Sequence, residues 1–126
     1  MVATKRMFSS FAVKDVEAAR GFYEGTLGLR VSEENEMGLL VLHLGDGCDV
    51  MVYPKPDHAP ATYTVLNLAV ADIDAAVADL AGRGVRFETF EGFAPDANGV
   101  HRGQGGPPIA WFTDPSGNIM AVLEDE

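Results

Sequence analysis

The chain has 126 residues, of which 47% are hydrophobic and 22% charged, the composition of one ordinary globular domain. The 19 acidic residues outweigh the 9 basic ones and give a net charge of -10 at pH 7, which argues against a nucleic-acid partner because phosphate binding needs clustered lysine and arginine. No apolar run approaches the roughly 20 residues of a membrane span, and no signal-peptide pattern is visible. The single Cys48 cannot form an internal disulfide. We therefore expect a cytoplasmic protein with no membrane partner.

The first half of the chain predicts a strand, a helix and then three more strands. A run rich in β-forming residues at 7–13 leads to Asp15, whose side chain is placed to accept hydrogen bonds from the first free amides of a helix. Apolar residues then recur at helical spacing, and Gly25 and Gly28 stand where such a helix ends. Those apolar residues are Val16, Ala19, Phe22 and Tyr23. The three following strands are predicted at 29–33, 39–44 and 49–53.

The second half predicts the same order after a proline-rich linker at 55–62, which cannot continue a ladder of strand hydrogen bonds. A strand at 63–70 leads to Asp72, the predicted cap of a second helix, and Gly82 and Gly84 stand at the end of that helix. Its apolar residues at positions i, i+3, i+4 and i+7 are Ile73, Ala76, Val77 and Leu80. The last three strands are predicted at 85–90, 109–113 and 119–123.

The two halves are related by sequence as well as by pattern. When residues 11–25 are set against residues 68–82, at a constant separation of 57, six of the fifteen positions are identical, among them Asp15 and Asp72. This similarity predicts an internal duplication in which each half forms one βαβββ module. A module of about 60 residues can bury little core alone, so the two must share one. Two curved sheets related in this way leave a concave surface on which a small ligand can bind.

Three stretches carry a resemblance to a known family. They are F-A-V-K-D-V-E-A-A-R-G-F-Y-E-G-T-L-G-L-R-V from residue 11, L-A-V-A-D-I-D-A-A-V from residue 68, and F-T-D-P-S-G-N-I-M-A-V-L-E from residue 112, whose D-P-S-G-N predicts a tight hairpin. They resemble the vicinal oxygen chelate superfamily, which includes glyoxalases, extradiol dioxygenases and bleomycin-resistance proteins. The resemblance implies an α+β fold, in which two tandem βαβββ modules form curved mixed sheets around a shared cleft. It implies one domain over 1–126, with module one at about 5–54 and module two at about 63–124, and a homodimer with pockets at or near the subunit interface.

Members of this superfamily that use a metal hold it with His, Glu or Gln on four strands. The corresponding positions, counted from the helix-capping aspartates and from Asn118, are Phe8, Met51, Val65 and Ala121. Divalent cations of this kind need oxygen or nitrogen donors. None of the four side chains supplies one, so we expect no metal and no other cofactor. A displaced metal site is not favoured either, because His43, His58 and His101 lack the close spacing that would place two ligands on one face.

With no metal expected, the candidate site residues are aromatic or weakly polar. Side chains two residues apart on a strand share a face, which adds neighbours to the metal positions. Asn67 is expected to be a buried amide, whose partner is either a neighbouring backbone group or the ligand. Trp111 offers a large stacking surface and an N–H donor. The predicted ligand-binding residues are Phe8, Ser10, His43, Met51, Tyr53, Asn67, Phe90, Phe93, His101 and Trp111.

Several assignments stay open between a functional and a structural role. His43 lies in the middle of a strand and is either a half-exposed strand residue or a hydrogen-bond partner in the pocket. Asp49, Glu88 and Glu91 could perform acid-base chemistry, although acidic residues on alternating strands usually face solvent. The segment 89–108 shows little periodicity and is either a flap over the pocket entrance or a plain mobile connection.

The resemblance and the missing metal donors favour a small-molecule-binding protein over an enzyme. The expected task is sequestration of a bulky, partly aromatic natural product without turnover, as antibiotic-resistance members of the superfamily perform it. The alternative is an enzyme of a biosynthetic pathway, either glyoxalase- or dioxygenase-like with a displaced metal or a metal-free lyase or isomerase. A third possibility is a scaffold whose cavity is filled by its own side chains.

Overall fold

Each half of the chain folds as a strand, a helix and three further strands. The computed structural model describes residues 2–34, 38–89, 94–103 and 105–125, and the chain divides into two units, Met1–Ala59 and Pro60–Glu126. Each unit contains one mixed four-stranded sheet and one helix, so the expected α+β fold with tandem βαβββ modules is confirmed. Within the described residues, neither helix has the length and apolar character needed to cross a membrane.

In the first unit the strand order is β1-β4-β3-β2, with β1 and β4 parallel and the other pairs antiparallel. Its elements are β1 (Ser9–Val13), α1 (Val16–Arg20), β2 (Arg30–Glu34), β3 (Leu39–Gly45) and β4 (Cys48–Pro54). Asp15 caps α1 as predicted, since its carboxylate accepts a hydrogen bond of 3.1 Å from the amide of Ala18. The helix continues into a wider π-helical turn over Gly21–Thr26, which the apolar spacing did not predict.

The second unit repeats this arrangement with the strand order β5-β8-β7-β6 and a parallel β5–β8 pair. Its elements are β5 (Thr64–Val70), α2 (Ile73–Gly82), β6 (Phe87–Glu88), β7 (Ile109–Thr113) and β8 (Ile119–Glu124). The carboxylate of Asp72 accepts a hydrogen bond of 3.1 Å from the amide of Ala75, which confirms the second cap. The sixth strand is shorter than the predicted 85–90, because only Phe87 and Glu88 pair with β7 in the described part of the chain.

Alternate strand residues form the core of each unit. In the first sheet the buried residues of β3 and β4 are Leu40, Leu42, Val50 and Val52. In the second sheet the alternating buried residues of β7 and β8 are Ala110, Phe112, Met120 and Val122, to which β5 adds Leu66 and α2 adds Ile73, Val77 and Leu80; Ala121, on the opposite face of β8, is also buried. The residues between them in sequence point to the opposite face, which is left for other contacts.

The D-P-S-G-N segment forms the predicted hairpin between β7 and β8. The carboxylate of Asp114 accepts hydrogen bonds of 2.9 Å from the amides of Ser116 and Asn118, and its other oxygen accepts one of 2.9 Å from the side-chain amide of Asn118. Asp114 and Asn118 are both buried, and Gly117 has a φ of 87°, the left-handed region that glycine tolerates. The hairpin fixes the register in which Trp111 faces Ala121.

Candidate ligand-binding site

A pocket of about 310 Å³ lies on the face of the first sheet opposite its buried residues. Its lining residues come from β3, β4, the end of β2 and the segment before β1: Arg6, Phe8, Glu34, Leu39, Val41, His43, Asp49 and Met51. Strand alternation explains the set, because Leu39, Val41 and His43 are every second residue of β3. The pairing of β3 with β4 then brings Met51 opposite Val41 and Asp49 opposite His43.

A chain of three polar side chains crosses the sheet at one end of the pocket. The Oγ of Ser32 lies 2.7 Å from Nε2 of His43, and Nδ1 of His43 lies 3.0 Å from Oδ1 of Asp49. The side chains of His43 and Asp49 are 24% and 29% exposed. Each residue belongs to a different strand, β2, β3 and β4, so the sheet itself holds the three groups in line. We call Ser32, His43 and Asp49 the polar relay.

Arg6 joins the polar relay to the aromatic wall of the pocket. Its Nη1 lies 3.8 Å from Oδ2 of Asp49, and its guanidinium carbon lies 4.5 Å from the centre of the Phe8 ring. The second distance is within the range of a cation–π interaction. Phe8 itself is 45% exposed, so one face of the ring remains available to a ligand. The pocket thus combines apolar walls with a hydrogen-bonding end, as small-molecule sites commonly do.

The structure brings five of the predicted site residues onto this face of the first sheet. Phe8, His43 and Met51 line the pocket. Ser10 pairs with Met51, and Tyr53 follows Met51 by two residues, so both lie on the same face beside the pocket. Phe90 and Phe93 lie outside the described residues.

The remaining three predicted residues belong to the second unit. Asn67 is exposed on β5, so the expectation of a buried amide was wrong, because this face of β5 is open at that position. The indole N–H of Trp111 donates a hydrogen bond of 3.2 Å to Oγ1 of Thr64. Because Trp111 is on β7 and Thr64 on β5, the indole crosses the intervening β8 above Ala121, which is completely buried.

His101 contacts the same indole. It is 1% exposed, exchanges backbone hydrogen bonds of 2.8 and 3.1 Å with Ile109, and its ring centre lies 5.0 Å from that of Trp111 in an edge-to-face arrangement. The sequence indicated that His101 lies in a loop, but an antiparallel β-bridge joins it to Ile109 in the second sheet.

The described part of the 89–108 segment is tied to α2 by an ion-pair network. Asp96 accepts hydrogen bonds from the amides of Asn98 and Val100, at 2.9 and 3.0 Å, and these backbone bonds lower the pKa of its carboxyl group, that of Val100 first. Arg102 lies 2.7 Å from Asp74 in the first turn of α2 and 3.4 Å from Asp96. The hydrogen bond with Asp74 is the main reason that the pKa of Arg102 is raised.

Ser32 was not among the predicted site residues, and the role of Asp49 was left open between a solvent-facing carboxylate and acid-base chemistry. A signal for Asp49 was present in the G-D-G turn after β3, because a tight turn at 45–47 places Asp49 opposite His43. Ser32 is found only once the register of β2 against β3 is known, where Arg30 faces His43 and Ser32 faces Val41.

Comparison with known proteins agrees with this architecture. The model of the Glyoxalase/Bleomycin resistance protein/Dioxygenase superfamily matches residues 7–122. The chain belongs to this superfamily. No curated protein sequence matches the chain.

Solved structures of the superfamily are similar over nearly the full chain. An antibiotic binding protein from Streptomyces sp. CB03234, TnmS3, is 23% identical, with a TM-score of 0.71 over 99% of this chain and 100% of its own. A superfamily member from Sphaerobacter thermophilus is 26% identical, with a TM-score of 0.72 over 95% of this chain and 98% of its own. The fosfomycin resistance protein FosX from Listeria monocytogenes is 13% identical, with a TM-score of 0.71 over 99% of this chain and 96% of its own.

The superfamily's metal positions do not fit a metal in this chain. Strand pairing aligns the two copies, because Ser10 faces Met51 and its repeat equivalent Asn67 faces Ala121. Met51 is therefore the counterpart of Ala121, and Phe8 is the counterpart of Val65. The side chains at these four positions end in a thioether, a methyl, a phenyl and an isopropyl group respectively, and none of these provides a donor suited to a divalent cation. Within the described residues, no group of three His, Cys, Asp or Glu side chains is placed to hold an ion.

Proposed function

We propose that this protein binds a bulky, partly aromatic natural product in the pocket of the first unit and sequesters it without chemical change. The observation that carries this proposal is the pocket, which joins the apolar side chains of Phe8, Val41 and Met51 to the polar relay. An aromatic ring of the ligand stacks near Phe8, and its polar groups meet the relay. The description of TnmS3 as an antibiotic binding protein supports an antibiotic as the natural ligand.

Binding strength argues for further ligand contacts beyond this pocket. A ligand that removes ~150 Å² of apolar surface from water gains about 4 kcal/mol, whereas a micromolar complex corresponds to about -8 kcal/mol. Hydrogen bonds at the relay and additional covering surface must supply the difference. This shortfall supports a homodimer in which a second copy contributes to the site, and sedimentation equilibrium of the purified protein measures that assembly. We propose a cytoplasmic location for this homodimer.

A thermal-shift screen against aromatic natural products, followed by mass spectrometry of the recovered ligand, tests the proposal. A ligand that binds only the folded protein raises Tm with concentration, and we expect it to be recovered unchanged. Phe8→Ala should weaken binding several-fold, whereas Leu44→Ala, at an exposed position of β3, should leave it unchanged. The appearance of a product that depends on the protein would contradict sequestration.

The polar relay favours a second candidate, a metal-free lyase or isomerase. A histidine oriented by a carboxylate is the usual arrangement of a general base, and here His43 would act through the Ser32 hydroxyl, which lies 2.7 Å from Nε2. His43→Asn would then abolish turnover while retaining binding. The same mass-spectrometric assay separates the two functions, because only the enzyme produces a changed ligand.

A further inference from the structure

We propose that the pocket selects ligands that carry an aromatic hydroxyl or amino group, which donates a hydrogen bond to Oγ of Ser32. This inference rests on the proposed function, since it names the ligand chemistry of the same pocket. It follows from the number of protons that the polar relay can hold.

The position of each proton is set by the carboxylate at the end of the relay. An ionised aspartate only accepts hydrogen bonds, so the contact of 3.0 Å between Asp49 and Nδ1 of His43 places the proton of the neutral imidazole on Nδ1. Nε2 then carries a lone pair. In the 2.7 Å hydrogen bond between Ser32 and His43, the serine hydroxyl is therefore the donor and Nε2 the acceptor. The only hydrogen of Ser32 Oγ is committed to His43, and the oxygen is left with acceptor capacity alone.

Arg6 and the sheet keep this arrangement in place. The guanidinium of Arg6 lies 3.8 Å from the other oxygen of Asp49 and forms an ion pair with it. Ser32 faces Val41 across the β2–β3 pair, and Glu34 follows it by two residues on the same face. Val41 and Glu34 both line the pocket, and Ser32 between them is half-buried, so we place its Oγ beside the pocket and within reach of a ligand.

The committed proton makes the site selective. An O–H or N–H group on a ring lying against Val41 and Met51 can donate to Oγ of Ser32. A carbonyl or ether oxygen at the same place would meet a second oxygen lone pair with no proton between them, which excludes such ligands by an unfavourable contact. The ring itself is required by the apolar walls that Phe8 and Met51 provide.

Two probes that differ in one group test the inference, namely 2-naphthol and 2-methoxynaphthalene. One ordinary hydrogen bond corresponds to a factor of about 2 to 10 in Kd, so the wild-type protein should bind 2-naphthol more tightly by about that factor. Ser32→Ala should remove the preference and Ser32→Thr should retain it. Ser9→Ala, a serine on the opposite face of the same sheet, should behave as wild type. An undiminished preference in Ser32→Ala overturns the inference.

The tautomer of His43 provides a second measurement that needs no ligand. Nitrogen-15 NMR of the free protein, with only three histidines to assign, should show that the neutral ring of His43 carries its proton on Nδ1 and not on Nε2. A neutral His43 protonated on Nε2 overturns the inference even where 2-naphthol binds. Asp49→Asn should reduce the preference for 2-naphthol to less than about twofold, because an amide can accept from or donate to Nδ1. If the wild type binds neither probe while His43 has the expected tautomer, the proposed binding function fails and not the proton arrangement.

Discussion

The role of the pocket is tested most directly by filling it. The equivalent place in the second unit holds a larger side chain, which can be introduced into the first unit. Val41 pairs with Met51, and Trp111 pairs with Ala121, the counterpart of Met51, so Val41 and Trp111 are equivalent positions. The substitution Val41→Trp should therefore place an indole across β4, as Trp111 lies across β8 in the second unit.

The effect of Val41→Trp follows from the size of the indole. A tryptophan side chain buries about 150–250 Å², and on a face that is half exposed we expect roughly half of this, a gain of about 2 to 3 kcal/mol at 25 cal/mol per Å². Steric adjustment in a packed sheet costs about 1 to 3 kcal/mol, so the free energy of unfolding should change by less than about 2 kcal/mol. Ligand binding should weaken at least tenfold, because the indole occupies the space that the ligand needs.

Urea denaturation and isothermal titration with a ligand from the thermal-shift screen measure the two effects separately. Leu44→Trp, on the same strand at an exposed position, is the matched control and should leave Kd unchanged. A folded Val41→Trp variant that binds with wild-type affinity would refute the assignment of the pocket. If Val41→Trp does not fold, Val41→Phe places a smaller ring at the same position and is subject to the same criterion.

Three further predictions concern other parts of the fold. Asp114→Ala should lower the free energy of unfolding, measured by urea denaturation, by about 3 kcal/mol, because three hydrogen bonds of 2.9 Å to a buried carboxylate are lost. Asp15→Ala removes one exposed hydrogen bond at a helix cap and should lower the free energy of unfolding by only about 1 kcal/mol. Trp111→Phe should destabilise by about 1 kcal/mol through loss of the bond to Thr64, and a double-mutant cycle with Thr64→Val should show non-additivity. Folding lowers the pKa of Asp96, so the stabilisation that its carboxylate provides is present above the ordinary pKa of 3.8 and is lost as the pH falls through the lower folded pKa. Amide hydrogen exchange at Val100 should therefore accelerate in that pH range in the wild type. The Asp96→Asn variant should not show this pH dependence.

Most of the fold could be predicted because its determinants are local in sequence. The capping aspartates and strand alternation depend on neighbouring residues, and the strand over Ile109–Thr113 has the predicted limits. The apolar spacing did not indicate the π-helical turn, which contains Tyr23; the buried ring of Tyr23 contacts Phe11 and Phe22 edge to face at 5.9 and 5.2 Å, and helical spacing alone does not specify such tertiary contacts. For the same reason the sequence indicated His43 as a candidate but did not reveal its partners, which are fixed by the registers of three strands.

The duplication allows the pocket face of the first sheet to be compared, place by place, with the same face of the second sheet. By the strand pairings, the places of Ser32, His43 and Asp49 in the first unit correspond to Glu88, Thr113 and Ile119 in the second, where no imidazole joins a hydroxyl to a carboxylate. The place of Val41 is taken by Trp111, whose indole covers Ala121, so the second sheet fills with its own side chain the space that the first leaves open. Within the described residues the polar relay has no equivalent in the second copy, so the face of the first sheet is where we expect a ligand to bind.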